Sequence, residues 1–167
     1  MNRTSLLASL CLLLVGCAGS YQLGTTLSRS QRDVYVPAIV NESTEPSLHQ
    51  EVTRRLLREN RRDGTLNFAG DETSATVILE VVVKEFKMDI VTYQANDKHT
   101  GREYRATIRS HVVFRERATG KVLYEGDVAG EEEFDASGDL TSAKRRMMPE
   151  ACRDLAENIV DACTSLW

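Results

Sequence analysis

Apolar and polar residues alternate over four stretches of the chain, and this period of two predicts β-strands. The predicted strands are 33–40, 75–88, 104–117 and 122–131. The third is the most regular: five residues are expected to point into the core (Ala106, Ile108, Ser110, Val112, Phe114), and the residues between them to point out. Pro37 lacks a backbone N–H, which favours an edge position or a bulge for the first strand.

Two stretches follow a helical period instead. Leu48, Val52 and Leu56 recur every four residues, opposite a polar face that carries Arg54, Arg55, Arg58 and Arg61. Ser47 and Gln50 have the spacing of a capping box, and Gly64 is placed to end this helix. A second helix closes the chain, with Pro149 near its start or at a kink, and its expected buried stripe is Met148, Cys152, Leu155, Ile159 and Cys163.

The predicted order is therefore β-α-β-β-β-α. It favours an α+β fold, a two-layer sandwich in which a four-stranded, mostly antiparallel sheet carries two helices on one face. Residues 94–102 and 131–139 are polar and are predicted as loops, and 118–121 as a tight turn.

The first residues, MNRTSLLASLCLLLVGC, indicate an export signal. The apolar run is shorter than the roughly 20 residues that a bilayer-spanning helix needs. Leu14-Val15-Gly16 before Cys17 is typical of a lipobox, so the sequence predicts a lipoprotein signal peptide at 1–16, a lipidated leader at 17–32 and a single domain at 33–167. Acyl chains on Cys17 would hold the protein at a membrane. Ala18, in place of an aspartate, favours the periplasmic side of the outer membrane.

The net charge of the chain and the residue types it carries argue against several classes of function. Without the signal, 20 basic residues face 25 acidic ones, and this acidity argues against a nucleic-acid partner. The three histidines match no zinc spacing, and no catalytic motif is present, so neither a metal, nor a cofactor, nor an enzyme activity is predicted. Cys152 and Cys163 lie roughly 16 Å apart along one helix, too far for a disulfide, and are read as small buried residues, with pairing to another chain as the alternative.

Charged side chains are segregated on the outward face of the predicted sheet. Arg105, Arg109 and Arg115 project from one strand, and Glu125 and Asp127 from the next. One interpretation is cross-strand ion pairing that fixes the register of the hairpin. The other is that these arginines bind phosphate groups of a lipid, because a planar guanidinium binds phosphate through two hydrogen bonds.

The N-terminal part of the chain resembles the LptE family of lipopolysaccharide-assembly lipoproteins. The resemblance covers residues 17 to about 64 and rests on Cys17, on Tyr21-Gln22-Leu23-Gly24, and on VYVPAIVNESTEPSLHQEVTRRLLRE. The spacing of Pro37, Asn41, Pro46, Leu48 and Thr53 carries most of it. The resemblance implies a non-enzymatic protein that plugs the β-barrel LptD, assists its assembly and contacts lipopolysaccharide on its way to the outer leaflet. The alternative is an accessory lipoprotein of another envelope transport or secretion machine. No family motif aligns with the three arginines, which are candidates for lipopolysaccharide binding from the strand pattern alone.

Overall fold

Six strands and two long helices make up the fold. The computed structural model describes residues 27–28, 31–94, 97–136 and 139–165, and within these ranges the side chains of residues 94–101 are not described. The elements in chain order are β1 (Asp33–Tyr35), β2 (Val40–Asn41), α1 (Leu48–Asp63), β3 (Asn67–Phe68), a short 3-10 helix (Glu72–Ser74), β4 (Val77–Gln94), β5 (Asp97–Glu116), β6 (Val122–Asp135) and α2 (Leu140–Thr164).

The sheet is mixed, with strand order β3-β1-β4-β5-β6 and with β2 also paired to β4. β4, β5 and β6 are antiparallel, whereas β1, β2 and β3 pair in parallel. The α+β class is confirmed, but the prediction of four mostly antiparallel strands is wrong. The predicted strand 33–40 is split into β1 and β2, and Pro37, which cannot donate a hydrogen bond, falls in the gap between them. The two-residue strand β3 is too short to produce a periodic signal.

One face of the sheet, here called the core face, is covered by both helices. Its buried side chains are those predicted from the alternation of β4 and β5: Val77, Leu79, Val81, Val83, Ala106, Ile108, Ser110, Val112 and Phe114. In α2 the predicted stripe is buried except for Met148, which is half-buried, while Met147 takes the core position. The opposite face, here called the open face, carries the intervening charged residues.

The segments predicted as polar loops are largely strand. β4 and β5 continue to Gln94 and from Asp97, and β6 runs to Asp135. Pairing such as Ile90 with Tyr104, and Tyr104 with Phe134, extends the sheet through these polar stretches. The rings of Tyr104 and Phe134 are stacked, with centroids 5.7 Å apart. Tertiary pairing therefore outweighs the local composition here.

A β-bulge interrupts β4 between Val83 and Glu85. Lys84 is the additional residue, and it shifts the alternation so that Phe86 and Met88, rather than the odd-numbered residues, continue the core face. The bulge also fixes which acidic residues of β4 reach the open face.

Helix α1 begins directly after Ser47, as predicted, but its cap differs from the prediction, and α2 begins well before Pro149. Ser47 precedes α1 but has a left-handed backbone (φ 61°) and makes no side-chain capping bond. The turn is instead held by Asn41, whose Oδ1 accepts from the N–H of Ser43 at 3.2 Å and whose Nδ2 donates to the Glu45 carbonyl at 2.9 Å. α2 begins at Leu140, so Pro149 lies inside the helix. Its cap is Asp139, which accepts from the N–H groups of Thr141 and Ser142, both at 3.0 Å.

Helix α2 lies against β6 at Gly130, where a Cβ atom would lie 2.3 Å from the Leu155 nitrogen. Two side chains of α2 bind outward-facing backbone groups of β6 beside this contact. Asp154 accepts from the N–H of Glu131 at 2.8 Å, and Asn158 donates to the carbonyl of Ala129 at 2.9 Å. The helix thus seals part of the outer edge of β6.

The thiols of Cys152 and Cys163 are free and buried, as predicted. Burial raises the pKa of each thiol to about 12. Among the described helices, none combines the length and the apolar character that crossing a membrane requires.

Candidate interaction surface

The open face of β4, β5 and β6 is the most distinctive surface of the molecule. Alternation along β5 places Arg105, Arg109 and Arg115, here called the arginine row, along its middle. Acidic side chains flank this row on both neighbouring strands: Glu80 and Glu85 on β4, and Glu125, Asp127, Glu131 and Glu133 on β6. Carboxylates outnumber guanidinium groups on this face.

Two arginines of the row are held tightly. Arg105 donates to Glu133 Oε1 from Nε at 3.0 Å and from Nη2 at 2.5 Å. Arg115 donates from Nη2 to Glu80 Oε1 at 2.6 Å. These hydrogen bonds and the adjacent negative charges raise the pKa of both guanidinium groups. Both are therefore already engaged by carboxylates across the strands.

Arg109 is held more loosely. Its only ion pair in the described part of the chain is with Glu85, at 3.7 Å, and its side chain is 64% exposed. It also lines a cavity of about 240 Å³, with Lys84, Glu85 and Asp127 among the other lining residues. Of the three predicted arginines, Arg109 is the one whose guanidinium is accessible next to a concave surface.

The cavity depends on a feature that the strand pattern does not reveal. Lys84 reaches it because of the bulge in β4, and Lys84 also donates to Glu42 at 2.8 Å. In the sequence, this bulge is indicated only by Lys84, a charged residue that directly follows three consecutive valines. Further along β5, His111 lies between two carboxylates, with Nδ1 2.9 Å from Asp127 and Nε2 3.6 Å from Glu125.

A two-stranded extension projects beyond β6. Here called the distal hairpin, it comprises residues 91–94 and 97–102, in which Tyr93 pairs with Gly101 and Gln94 with Asp97, beyond the last β5–β6 pair at Glu103 and Asp135. Three large apolar side chains at its base and along it are exposed: Ile90 (38%), Val91 (44%) and Tyr93 (51%). Leu27 lies at the other end of the sheet, where Gln31 donates to Glu116 at 3.1 Å. The described chain therefore starts at the end opposite the distal hairpin.

A family model described as "LptE: Lipopolysaccharide-assembly" matches residues 31–162. This range contains the sheet, α1, the arginine row and all but the last two residues of α2. The chain belongs to the LptE family. The match confirms the predicted resemblance, which covered residues 17 to about 64, over residues 31–64 and continues it to residue 162. LptE proteins are accessory lipoproteins of lipopolysaccharide assembly and not enzymes, which places this chain among the envelope lipoproteins.

Several solved structures have the same fold as this LptE-family chain. Protein XCC0632 from Xanthomonas campestris is 13% identical over 77% of this chain and 81% of its own, with a TM-score of 0.56. The hypothetical protein CT253 from Chlamydia trachomatis is 12% identical over 76% and 92%, with a TM-score of 0.55. The PelC dodecamer from Paraburkholderia phytofirmans gives 13% identity over 85% and 93%, with a TM-score of 0.51. At these identities the likeness is one of fold alone. No curated protein matches the LptE-family chain in sequence.

The predicted modification site of this LptE-family chain lies outside the described residues. This holds for the signal peptide at 1–16, for Cys17 and for the leader up to residue 26. Within the described ranges, no group of three or more His, Cys, Asp or Glu side chains is arranged to hold a metal ion. The lipidation of Cys17 and the phosphate contact of the arginine row stay predictions.

Proposed function

We propose that this protein is an outer-membrane lipoprotein that plugs an LptD-type β-barrel, helps to assemble it and assists delivery of lipopolysaccharide to the outer leaflet. The family match over residues 31–162 carries the proposal. The shape and charge of the sheet support it.

A plug has to match a polar surface, because the lumen of an outer-membrane barrel is polar. The open face offers charged side chains, and two of its arginines are already paired, Arg105 with Glu133 and Arg115 with Glu80. These pairs can enter a confined polar space without leaving their arginines as isolated charges, and the remaining carboxylates offer acceptors to polar groups of the lumen. The 18 residues of β4 span roughly 60 Å at about 3.3 Å per residue, more than the ~25 Å apolar band of such a barrel.

Lipopolysaccharide carries phosphate groups, and we propose that Arg109 is the residue of the arginine row that binds one of them most readily. Arg109 is exposed, lies 3.7 Å from its nearest carboxylate and lines a cavity with Lys84. A guanidinium can give a phosphate two parallel hydrogen bonds. Lys84 would first have to release Glu42, to which it donates at 2.8 Å, before it could join Arg109 at a phosphate. Arg105 and Arg115 would first have to release Glu133 and Glu80, so we expect them to contribute less.

Lipidation of Cys17 would attach the protein to the membrane from the end of the sheet where Leu27 lies. The distal hairpin would then be the part farthest from the attachment point. This polarity suits a plug, since its anchored end stays at the periplasmic leaflet while the other end extends along the barrel axis.

A pull-down from detergent-solubilised outer membranes tests the barrel partner, using a C-terminally tagged form that keeps Cys17. We expect a large barrel protein in stoichiometric amount. Recovery of a different envelope machine would support the accessory-subunit alternative, and recovery of no partner would contradict the plug.

Lipopolysaccharide binding by the purified lipoprotein tests the assignment of Arg109. Arg109→Glu is expected to weaken binding while the barrel is still recovered. Arg54→Glu is the matched control, because Arg54 is an exposed arginine of α1 that pairs with Glu51. Equal binding by both variants would remove Arg109 from the proposed site.

A further inference from the structure

A groove on the other side of the molecule lies between the C-terminal half of α1 and the edge strand β3. It has a volume of about 480 Å³, and its apolar lining comes from Leu57, Leu66 and Phe68. Leu57 is 40% exposed on a helix whose other exposed residues are mainly charged. The groove is separate from the arginine row, because the row lies on β5 and two strands, β1 and β4, stand between β3 and β5.

The backbone of β3 is available on its outer side. Asn67 and Ala69 donate their N–H groups inward, to the carbonyls of Arg32 at 2.7 Å and Val34 at 2.8 Å. Strand alternation directs the N–H and C=O of Phe68, between them, away from β1. No described strand pairs on that side, so Phe68 presents the kind of edge that accepts an added strand.

A buried polar group in the groove lacks a partner. Asn60 lines the groove, is only 6% exposed, and its Oδ1 makes no hydrogen bond to any described residue. Its position is fixed, since its carbonyl accepts from the N–H of Gly64 at 2.9 Å at the end of α1. Buried side-chain acceptors are nearly always satisfied, so this oxygen is an acceptor that a donor group of a bound segment can use.

The rim of the groove is cationic and, in contrast to the arginine row, is not neutralised. Arg61 donates from Nε to the Leu57 carbonyl at 3.1 Å, and Arg58 is exposed one turn away. Within the described residues, neither forms an ion pair, whereas Arg54, Arg55 and Arg62 on the same helix all do. Arg61 lines the apolar groove, and Arg58 lies one helical turn before it on α1. Because neither guanidinium group has a carboxylate partner among the described residues, they fit an acidic partner.

We propose that this groove binds an extended peptide segment of a partner protein, which adds as a strand to β3. Its acidic side chains would face Arg58 and Arg61, and an apolar side chain would enter between Leu57, Leu66 and Phe68. Main-chain hydrogen bonds give such strand addition its affinity, while alternate side chains give its specificity. The proposal goes beyond the barrel and lipopolysaccharide assignment and does not depend on it.

The test uses the purified full-length lipoprotein in mild detergent and a fluorescent peptide that alternates glutamate and valine. The control peptide has lysine in place of glutamate. We expect saturable binding of the glutamate peptide and none of the lysine peptide, together with slower hydrogen exchange of the Phe68 amide in the complex. Arg58→Glu with Arg61→Glu should weaken binding by about tenfold or more, as expected for reversed rim charges.

Arg54→Glu is again the matched control and should bind the peptide as the parent does. Peptide binding that is unaffected by the double variant, or that leaves exchange of the Phe68 amide unchanged, would overturn the proposal. It would also be overturned if the groove instead mediates dimerisation in sedimentation experiments, or if vesicles with anionic lipid, and not the peptide, protect Phe68. The barrel pull-down tests the proposed function separately. A negative peptide-binding result therefore does not decide whether the protein binds a barrel, and a negative pull-down does not decide whether the groove binds a peptide.

Discussion

Replacement of Gly130 by alanine should loosen the attachment of α2 to the sheet. The added Cβ would lie 2.3 Å from the nitrogen, 2.5 Å from the Cβ and 2.6 Å from the Cα of Leu155. These are mainly backbone atoms of a helix, so no side-chain rotation relieves the clash. Restoring ordinary contact requires a shift of roughly 1 Å between helix and strand.

The magnitude follows from what such a shift disturbs. Overpacking of a well-packed core costs about 1–3 kcal/mol. The hydrogen bonds from α2 to the backbone of Ala129 and Glu131 flank the clash, and each contributes about 0.5–1.5 kcal/mol. If the shift breaks one of these two hydrogen bonds, the free energy of unfolding should fall by about 2–4 kcal/mol, which lowers Tm by roughly 6–15 °C for a domain of this size.

Thermal and urea unfolding of the purified mature chain, followed by far-ultraviolet circular dichroism, measures this loss. Gly126→Ala is the matched control, since it makes the same change on the same strand. Its Cβ meets the Tyr124 hydroxyl at 2.8 Å, at the end of a side chain that can rotate away. Equal stability of the two variants would refute the close approach of α2 to β6.

Further predictions concern the cap of α2 and the buried thiols. Hydrogen bonds from Ser142, and then from Thr141, lower the pKa of Asp139 below its ordinary 3.8, so the ionised cap stabilises the fold fully above that pH and stops doing so as pH falls through the lowered value. Asp139→Ala should lower Tm at neutral pH and much less in acid, and a Tm difference that is independent of pH would contradict this role. Cys152 and Cys163, whose pKa values burial raises to about 12, should not react with a thiol reagent at about pH 8 in the native protein, but should react in denaturant. Rapid reaction of the native protein would show that the helix opens.

The strands of the long hairpin could be predicted because one face of each is buried. Alternation in β5 assigned Ile108 and Val112 to the core and Arg109 to the surface, and all three lie there. The ends of the strands could not be predicted, because polar residues there are held in the sheet by neighbouring strands and not by local preference. The start of α1 was predicted correctly but its capping was not, because the Asn41 side chain, six residues before Ser47, organises the turn and makes capping by Ser47 unnecessary.

The candidate sites show the same limit. The arginine row is visible in the sequence, but its partners Glu80 and Glu85 are known only once the register of β4 is fixed, bulge included. The groove beside β3 could not be predicted from the sequence. Arg61 is indistinguishable from the rest of a solvated helix face until the edge strand β3, two residues long, is placed next to it.

The sealing of β6 by α2 has a consequence for assembly. A sheet with two accepting edges can pass strand pairing from copy to copy and grow into a filament. Here Asp154 and Asn158 occupy backbone groups of Glu131 and Ala129 on one edge, so a strand cannot pair with this part of β6 without displacing α2. On the opposite edge, no described strand pairs with the outer sides of β3 and β2 or with that side of β4 beyond Val83. Copies of the molecule therefore cannot join edge to edge through the middle of β6, which hinders the growth of one continuous sheet from copy to copy.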